Sequence, residues 1–182
     1  MSRLIPLLAQ RRSIRRFEDR AVPPEMVAQI VEAALRAPSS RSLNPWEFIV
    51  VRDRVQLKRL AQAKPQGCAF LGQAPLGIVI CADPQRCDVW IEDASIATLL
   101  IHLAATDLGL GSCWVQIRKR MHDDRQSAAQ YIARELDLPE GMEVLAAVAI
   151  GYPQESKSGH SPESLPYAKV HGERFGRDFR PE

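Results

Sequence analysis

Aromatic side chains make up only 6% of this sequence, and neither sign of charge prevails: 24 Lys and Arg stand against 22 Asp and Glu, a net charge of +2. A dedicated nucleic-acid binder usually carries a larger basic excess, with aromatics interleaved among the cations for stacking, so that class is disfavoured. Cysteines are four, Cys68, Cys81, Cys87 and Cys113, and no two form a Cys-x-x-Cys pair. Zinc-ligand spacing is therefore missing, and no metal site is expected. Cys81 and Cys113 lie in apolar runs, where a buried free thiol is the usual outcome. A reduced, cytoplasmic protein fits this pattern. Long hydrophobic runs are missing too. The most apolar stretch, residues 94–105, contains His102 and stops at Asp107. It is too short and too polar to span a bilayer, and no membrane partner is expected. The apolar start of the chain is broken by Pro6 and has no small-residue cleavage site, so no export signal is read. There is no internal repeat and no linker. What remains is 182 residues, 46% hydrophobic and 25% charged, the size and composition of one globular domain with its own core.

Periodicity predicts the elements. Ser2 is placed to cap a short helix reaching about Gln10, with Ile5 and Leu8 facing inward. Pro23 and Pro24 open a second helix with a buried stripe of Val27, Ile30, Val31 and Ala34, and Pro38 ends it. Strands are expected over 48–51, 76–82, 111–115 and 144–150. Asp53 caps a helix to about Ala63, and Asp123 or Asp124 begins another to about Leu136. The longest helix runs over 89–108, apolar almost all round, with Gly109 as its stop. Such a helix belongs at the centre of a domain or in a subunit interface. The fold class is α+β, a small, mostly antiparallel central sheet wrapped by helices. Residues 154–182 are polar with little periodicity, a tail that is either disordered or wraps a partner.

Three segments carry chemistry. Arg11, Arg12, Ser13, Arg15 and Arg16 crowd within six residues. Guanidinium forks match phosphate oxygens bidentately, and a hydroxyl adds a donor. A cationic last turn is also favourable on any helix, so the cluster alone leaves both readings open. Residues 37–46 combine Pro38 and Pro45 with Ser39, Ser40, Ser42 and Asn44, a stiffened loop with hydrogen bonds to offer, ending on Trp46. As a plain connection it would be a helix stop and a core tryptophan. In 109–116, Gly109 and Gly111 let backbone approach something closely. This is not a dinucleotide fingerprint, because the third glycine, the preceding strand and the following helix are missing.

Taken together and in order, these segments resemble the FMN-dependent nitroreductase family, in its short-chain branch. The run begins at Arg11-Arg12-Ser13-Ile14-Arg15-Arg16-Phe17 and continues through Ala34-Leu35-Arg36-Ala37-Pro38-Ser39-Ser40 and Asn44-Pro45-Trp46-Glu47-Phe48. It then takes in Glu92-Asp93-Ala94-Ser95-Ile96-Ala97, Gly109-Leu110-Gly111-Ser112-Cys113-Trp114 and Ile150-Gly151-Tyr152-Pro153. No single motif is specific; the ordered set is.

The resemblance implies an intertwined homodimer with FMN at the subunit interface and a single domain over 1–182, whose residues 154–182 form an arm over the partner. By position, Arg11, Arg12, Ser13 and Arg15 would hold the phosphate and pyrimidine edge of one flavin. Pro38, Ser39, Ser40 and Ser42 would reach the same flavin from the other subunit. Backbone around Gln116 and Ile117 would approach N5. The family often has asparagine at Ser42, glutamine at Asn44, and a Lys or Arg near Ser164 that reaches the phosphate. Lys157 or Lys169 is the candidate substitute for the last. The implied activity is ping-pong transfer from NADH or NADPH through flavin N5 to a small aromatic or quinone-like acceptor, with no side chain as nucleophile. The rivals are a flavin-binding protein with little turnover, a dehydrogenase or dehalogenase of the same family, and an anion-binding module built on the arginines. His102, on the apolar helix, reads as a satisfied interior histidine.

Overall fold

The two central strands of the sheet are apolar at nearly every position because helices cover both faces. The computed structural model describes residues 4–179. Strands β1 (Trp46–Val51), β2 (Leu76–Ala82), β3 (Gly111–Gln116) and β4 (Glu143–Gly151) lie in the order β1-β2-β4-β3, each antiparallel to its neighbours. The alternation of a strand sends Ile78, Ile80, Val148 and Ile150 to one face. There they pack with Ile30 of helix α2 (Pro24–Leu35) and with Ala97 and Ile101 of α4 (Trp90–Asp107). Val79, Cys81, Ala147 and Ala149 face the other way, onto Leu57 and Leu60 of α3 (Arg54–Leu60) and Ile132 of α5 (Ala128–Glu135). Each fully buried Leu or Ile contributes about 1.5–3 kcal/mol of transfer free energy, so these two layers hold the sheet from both sides.

Local chemistry fixes the ends. Pro24 sits in the first turn of α2, where its missing N–H costs nothing. The helix closes at Leu35, three residues before Pro38. Asp53 caps α3 by accepting from the N–H groups of Val55 and Gln56. Helix α4 ends in a left-handed Gly109, φ +73°, with Gly109 N–H donating to Thr106 O and Leu110 N–H to Ala105 O. That pair of bonds satisfies carbonyls the helix leaves over, and a side chain at Gly109 would strain it. Helix α5 starts at Ala128, later than Asp123 or Asp124. Ser127 and Gln130 form a reciprocal capping box there, while the Asp123 carboxylate is used in its own turn, accepting from Arg125 and Gln126 N–H.

One other expectation, the inward-facing Ile5 and Leu8, is corrected. The cap assigned to Ser2 lies outside the described residues. Helix α1 (Leu4–Gln10) lies beside α4 and buries none of its residues; Ile5 is 66% exposed and Leu8 41%. Its apolar face has no second layer to meet within one chain. Helix α4 likewise buries Ala94, Ala97, Ile101 and Ala105 but leaves Ile96 and Leu99 outside. Beyond β4, none of residues 154–179 is buried, and Tyr167, Val170, Phe175 and Phe179 stand in the open. Among the described residues, no helix is long and apolar enough to cross a membrane.

Candidate functional site

The basic loop, residues 11–17, is stitched to the outer edge of β3. Ser13 bridges Ser112 in parallel, and Ile14 N–H donates to Ser112 O at 3.0 Å. Gly111 permits this: a Cβ there would stand 2.8 Å from Ile14 Cβ, so the close approach that calls for glycine is to the chain's own Ile14 side chain. The chain after β4 closes the loop's other side. Phe17 bridges Pro153, Glu18 N–H donates to Tyr152 O, and Gln154 N–H donates to Arg16 O. Glu155 Oε1 accepts from the N–H groups of Arg15 at 2.6 Å and Arg16 at 3.3 Å. The Arg15 N–H first, then Lys157 and last the Arg16 N–H hold the Glu155 carboxyl below its ordinary pKa against the opposing effect of burial. Lys157 Nζ donates to Ser13 O at 2.6 Å and pairs with Glu155 at 3.2 Å.

The loop thus commits its backbone to the fold and leaves its guanidiniums over. Arg12 donates to Ser158 O and Arg15 lies over the Phe70 ring. Among the described residues, neither these nor Arg11 pairs with a carboxylate within 4.0 Å; Glu155 is matched to Lys157. Arg11, Arg15 and Lys157 all act on the buried Cys113 thiol of β3, and Ser13 hydrogen-bonds it. Desolvation is nevertheless the larger influence and raises its pKa. Burial likewise pushes the Cys68 and Cys81 thiols up to about 11, so these are inert. All four cysteines are free and buried. Beneath the loop, His102 Nδ1 lies 2.7 Å from Ser112 Oγ. Burial first, and Arg11 second, depress its pKa to about 4, so it is a neutral interior histidine. A cleft of about 230 Å³ opens beside the loop, lined by Arg12, Ile14, Gly111, Glu155 and Lys157. That is below the size of a pocket enclosing a whole cofactor.

The serine loop is built in the opposite manner. Ser39 Oγ bonds Asn44 Oδ1 at 2.7 Å and accepts from Asn44 N–H at 2.9 Å, so its hydroxyl closes the loop. Arg41, Ser42 and Asn44 adopt left-handed backbone, φ 54°, 54° and 45°, which costs non-glycine residues strain. The anchor is Asp93 at the start of α4, only 4% exposed: its Oδ1 accepts from Ser40 N–H at 3.0 Å and its Oδ2 from Cys87 Sγ at 3.4 Å. Arg41 pairs with Asp88 across the same helix start. Trp46 is buried at the end of this loop, as expected, and its indole N–H finds no partner among the described residues.

The far end of β3 offers backbone. Ser112 points its carbonyl away from β4, so in a regular strand Trp114 and Gln116 direct their amides to the same outer edge. Gln116 is side-chain-bonded to Trp114 Nε1 and to Arg118 O. The Ile117 side chain is buried in the core, leaving only its backbone for a ligand. From Ser112 to Gln116 the edge spans about 13 Å.

One chain brings Arg11, Arg12, Ser13, Arg15 and Lys157 together, with Gln116 and Ile117 further along the same edge. It does not bring Pro38, Ser39, Ser40 or Ser42 to them. The basic loop flanks β3, whereas the serine loop enters β1 at the opposite edge and opposite end of the sheet. Three strand spacings across the sheet and four to five residue rises along it put the two loops about 20 Å apart. Lys157, not Lys169, is the lysine at the arginines; Lys169 lies in an exposed turn of the tail. Sequence reading gave no role to Glu155 or Asp93. Both act on backbone N–H groups of distant segments, which no local pattern announces.

Comparison with known proteins agrees with the ordered motifs. The profile of the Nitroreductase family matches residues 8–67 and 63–152. The structure superposes on an FMN-dependent nitroreductase of Clostridium difficile R20291 with TM-score 0.92 and 49% identity, over 94% of this chain and 99% of that one. An Archaeoglobus fulgidus protein provisionally named NADH dehydrogenase/NAD(P)H nitroreductase is 39% identical over 86% of this chain and 89% of its own length. An FMN reductase (NAD(P)H) of Bacillus subtilis is 28% identical over 96% of this chain and 75% of its own. With its all-antiparallel four-stranded sheet, its two helical layers and these matches, the chain belongs to the nitroreductase family.

Proposed function

We propose that this chain is an FMN-dependent NAD(P)H oxidoreductase that works as a homodimer, with each flavin shared between two subunits. The observation that carries the reading is the cationic loop on the β3 edge. Three guanidiniums without carboxylate partners among the described residues, with Lys157 and Ser13 beside them, are a donor set suited to a dianionic phosphate. The outward amides further along β3 suit the polar edge of a flat ring. The serine loop lies about 20 Å away, at the opposite edge of the sheet, and this supports the dimer. In this reading the two loops that touch one flavin come from different chains. The exposed apolar faces of α1 and α4, and the exposed aromatics of the segment 154–179, supply surface for the partner to cover.

FMN, when bound, would supply hydride acceptance and donation at N5. Arg11, Arg12, Ser13 and Lys157 would bind its phosphate. Arg15 would hold a fixed positive charge where reduction places negative charge, without having to reorganise. Asp93 fixes the serine loop, so that Ser40 and Ser42 would meet the flavin from the second subunit. NADH or NADPH and then a small aromatic or quinone-like acceptor would use one open face in turn. Anaerobic titration of the purified protein with NADH and with NADPH tests this. Bleaching of the bound flavin by either is expected, and a flavin that stays oxidised under both would leave a passive binder.

A further inference from the structure

The turn that follows β3 carries three consecutive cations, Arg118, Lys119 and Arg120; the Arg120 guanidinium donates to Lys119 O at 3.3 Å. Among the described residues none of their side chains pairs with a carboxylate. The nearest acids in sequence, Asp123 and Asp124, follow in the next turn, where Asp123 accepts from Arg125 and Gln126 N–H. Yet the turn is firmly built. Arg118 N–H donates to Leu145 O, Arg120 N–H to Ile117 O, and Ala128 N–H to Arg120 O. The Arg118 guanidinium lies 5.9 Å from the centre of the Trp90 ring. Lys119 is held at φ 59°, a left-handed conformation that lysine adopts at a cost. Gln116 Nε2 donates to Arg118 O at 2.7 Å, which ties the turn to the end of the strand edge. Three cations in a fixed, strained turn, two residues beyond Gln116 and without a carboxylate partner among the described residues, form an anion-receiving group separate from the arginines at the other end of β3.

We propose that the turn 118–120 binds the adenosine phosphates of the reductant dinucleotide. This rests on the oxidoreductase reading above, in which the reductant meets the flavin beside Gln116. Lys119 and Arg120, both exposed, supply the phosphate contacts, and Arg118, stacked on Trp90, sets their position. The phosphate is either the 2′-phosphate that distinguishes NADPH or the pyrophosphate common to both dinucleotides.

The test is calorimetric titration of the FMN-loaded protein with two probes, adenosine 2′,5′-bisphosphate and ADP. Lys119→Gly combined with Arg120→Ala removes both charges while relieving the left-handed strain; Lys119→Gln with Arg120→Gln is the second variant. Binding is expected to weaken at least about tenfold in both. Weakening confined to the bisphosphate assigns the 2′-phosphate, and equal weakening of both probes assigns the pyrophosphate. Unchanged binding of both probes, or no binding to the unmodified protein, overturns the proposal while leaving the flavin reading intact. A variant that sheds FMN, seen as lost visible absorbance, overturns it as well, because the turn would then serve the flavin. A protein that takes up no FMN at all overturns the reading on which it rests.

Discussion

The basic loop and the serine loop divide their chemical groups in opposite ways. Around Arg11–Arg16 the backbone is used by the fold: Ser112 and Glu155 take its N–H groups, and among the described residues no guanidinium of the loop is paired with a carboxylate. Around Ser39–Asn44 the side chains are used by the fold: Ser39 closes on Asn44, Arg41 pairs with Asp88, and the backbone is left in left-handed conformations. The difference teaches where cofactor affinity should reside. Charged side chains on a rigid backbone give strong, direction-specific contacts to a phosphate, whereas a self-satisfied loop gives shape and a few amides.

The largest effect is therefore expected at the first loop. Arg11→Ala together with Arg15→Ala removes two charge-assisted contacts of about 1.5–3 kcal/mol each, so FMN affinity should fall on the order of a hundredfold or more. The measurement is the visible absorbance of the purified variant with its FMN dissociation constant; full retention would break the comparison. Acid should also strike the basic-loop side first. His102 is depressed to about 4 in the fold from an ordinary 6.5, so the unfolded chain binds the extra proton between those values. Stability is then full above pH 6.5 and is lost as pH falls toward 4, by about 3 kcal/mol for this group. Denaturant unfolding across that range should show the slope, and His102→Gln should remove it.

The serine loop is expected to respond through its anchor. Asp93→Ala leaves Ser40 N–H and the Cys87 thiol without their acceptor, at a cost of about 1–3 kcal/mol. Thermal unfolding should register it, and an unchanged midpoint would mean that the loop holds its shape alone. Ser40→Ala should be the smallest change, within about 0.5 kcal/mol in stability, because the fold uses the Ser40 N–H and not its hydroxyl. A larger loss of FMN affinity than of stability would assign that hydroxyl to the flavin.

Much of this was legible in the sequence, and the rest was hidden for identifiable reasons. Residues 76–82 and 144–150 were readable as strands because a sheet covered on both faces leaves an unbroken apolar run. Gly109 was readable as a stop because its helix needed a left-handed residue. Ile5 and Leu8 misled, since apolar spacing marks a face that wants cover and does not say whether this chain or another supplies it. The start of α5 misled because Asp123 and Ser127 are both capping residues, and only the reciprocal bond to Gln130 decides between them. The cationic cluster was visible as a cluster. That Glu155 holds its backbone and Lys157 its Ser13 carbonyl was not, because those contacts join segments about 140 residues apart.

The most direct measurement is the visible absorption spectrum of the purified protein, followed by heat release and chromatographic identification of the cofactor. The account predicts flavin bands near ~370 and ~450 nm and FMN at close to one per chain in a dimer. A colourless protein that also fails to take up added FMN would contradict it.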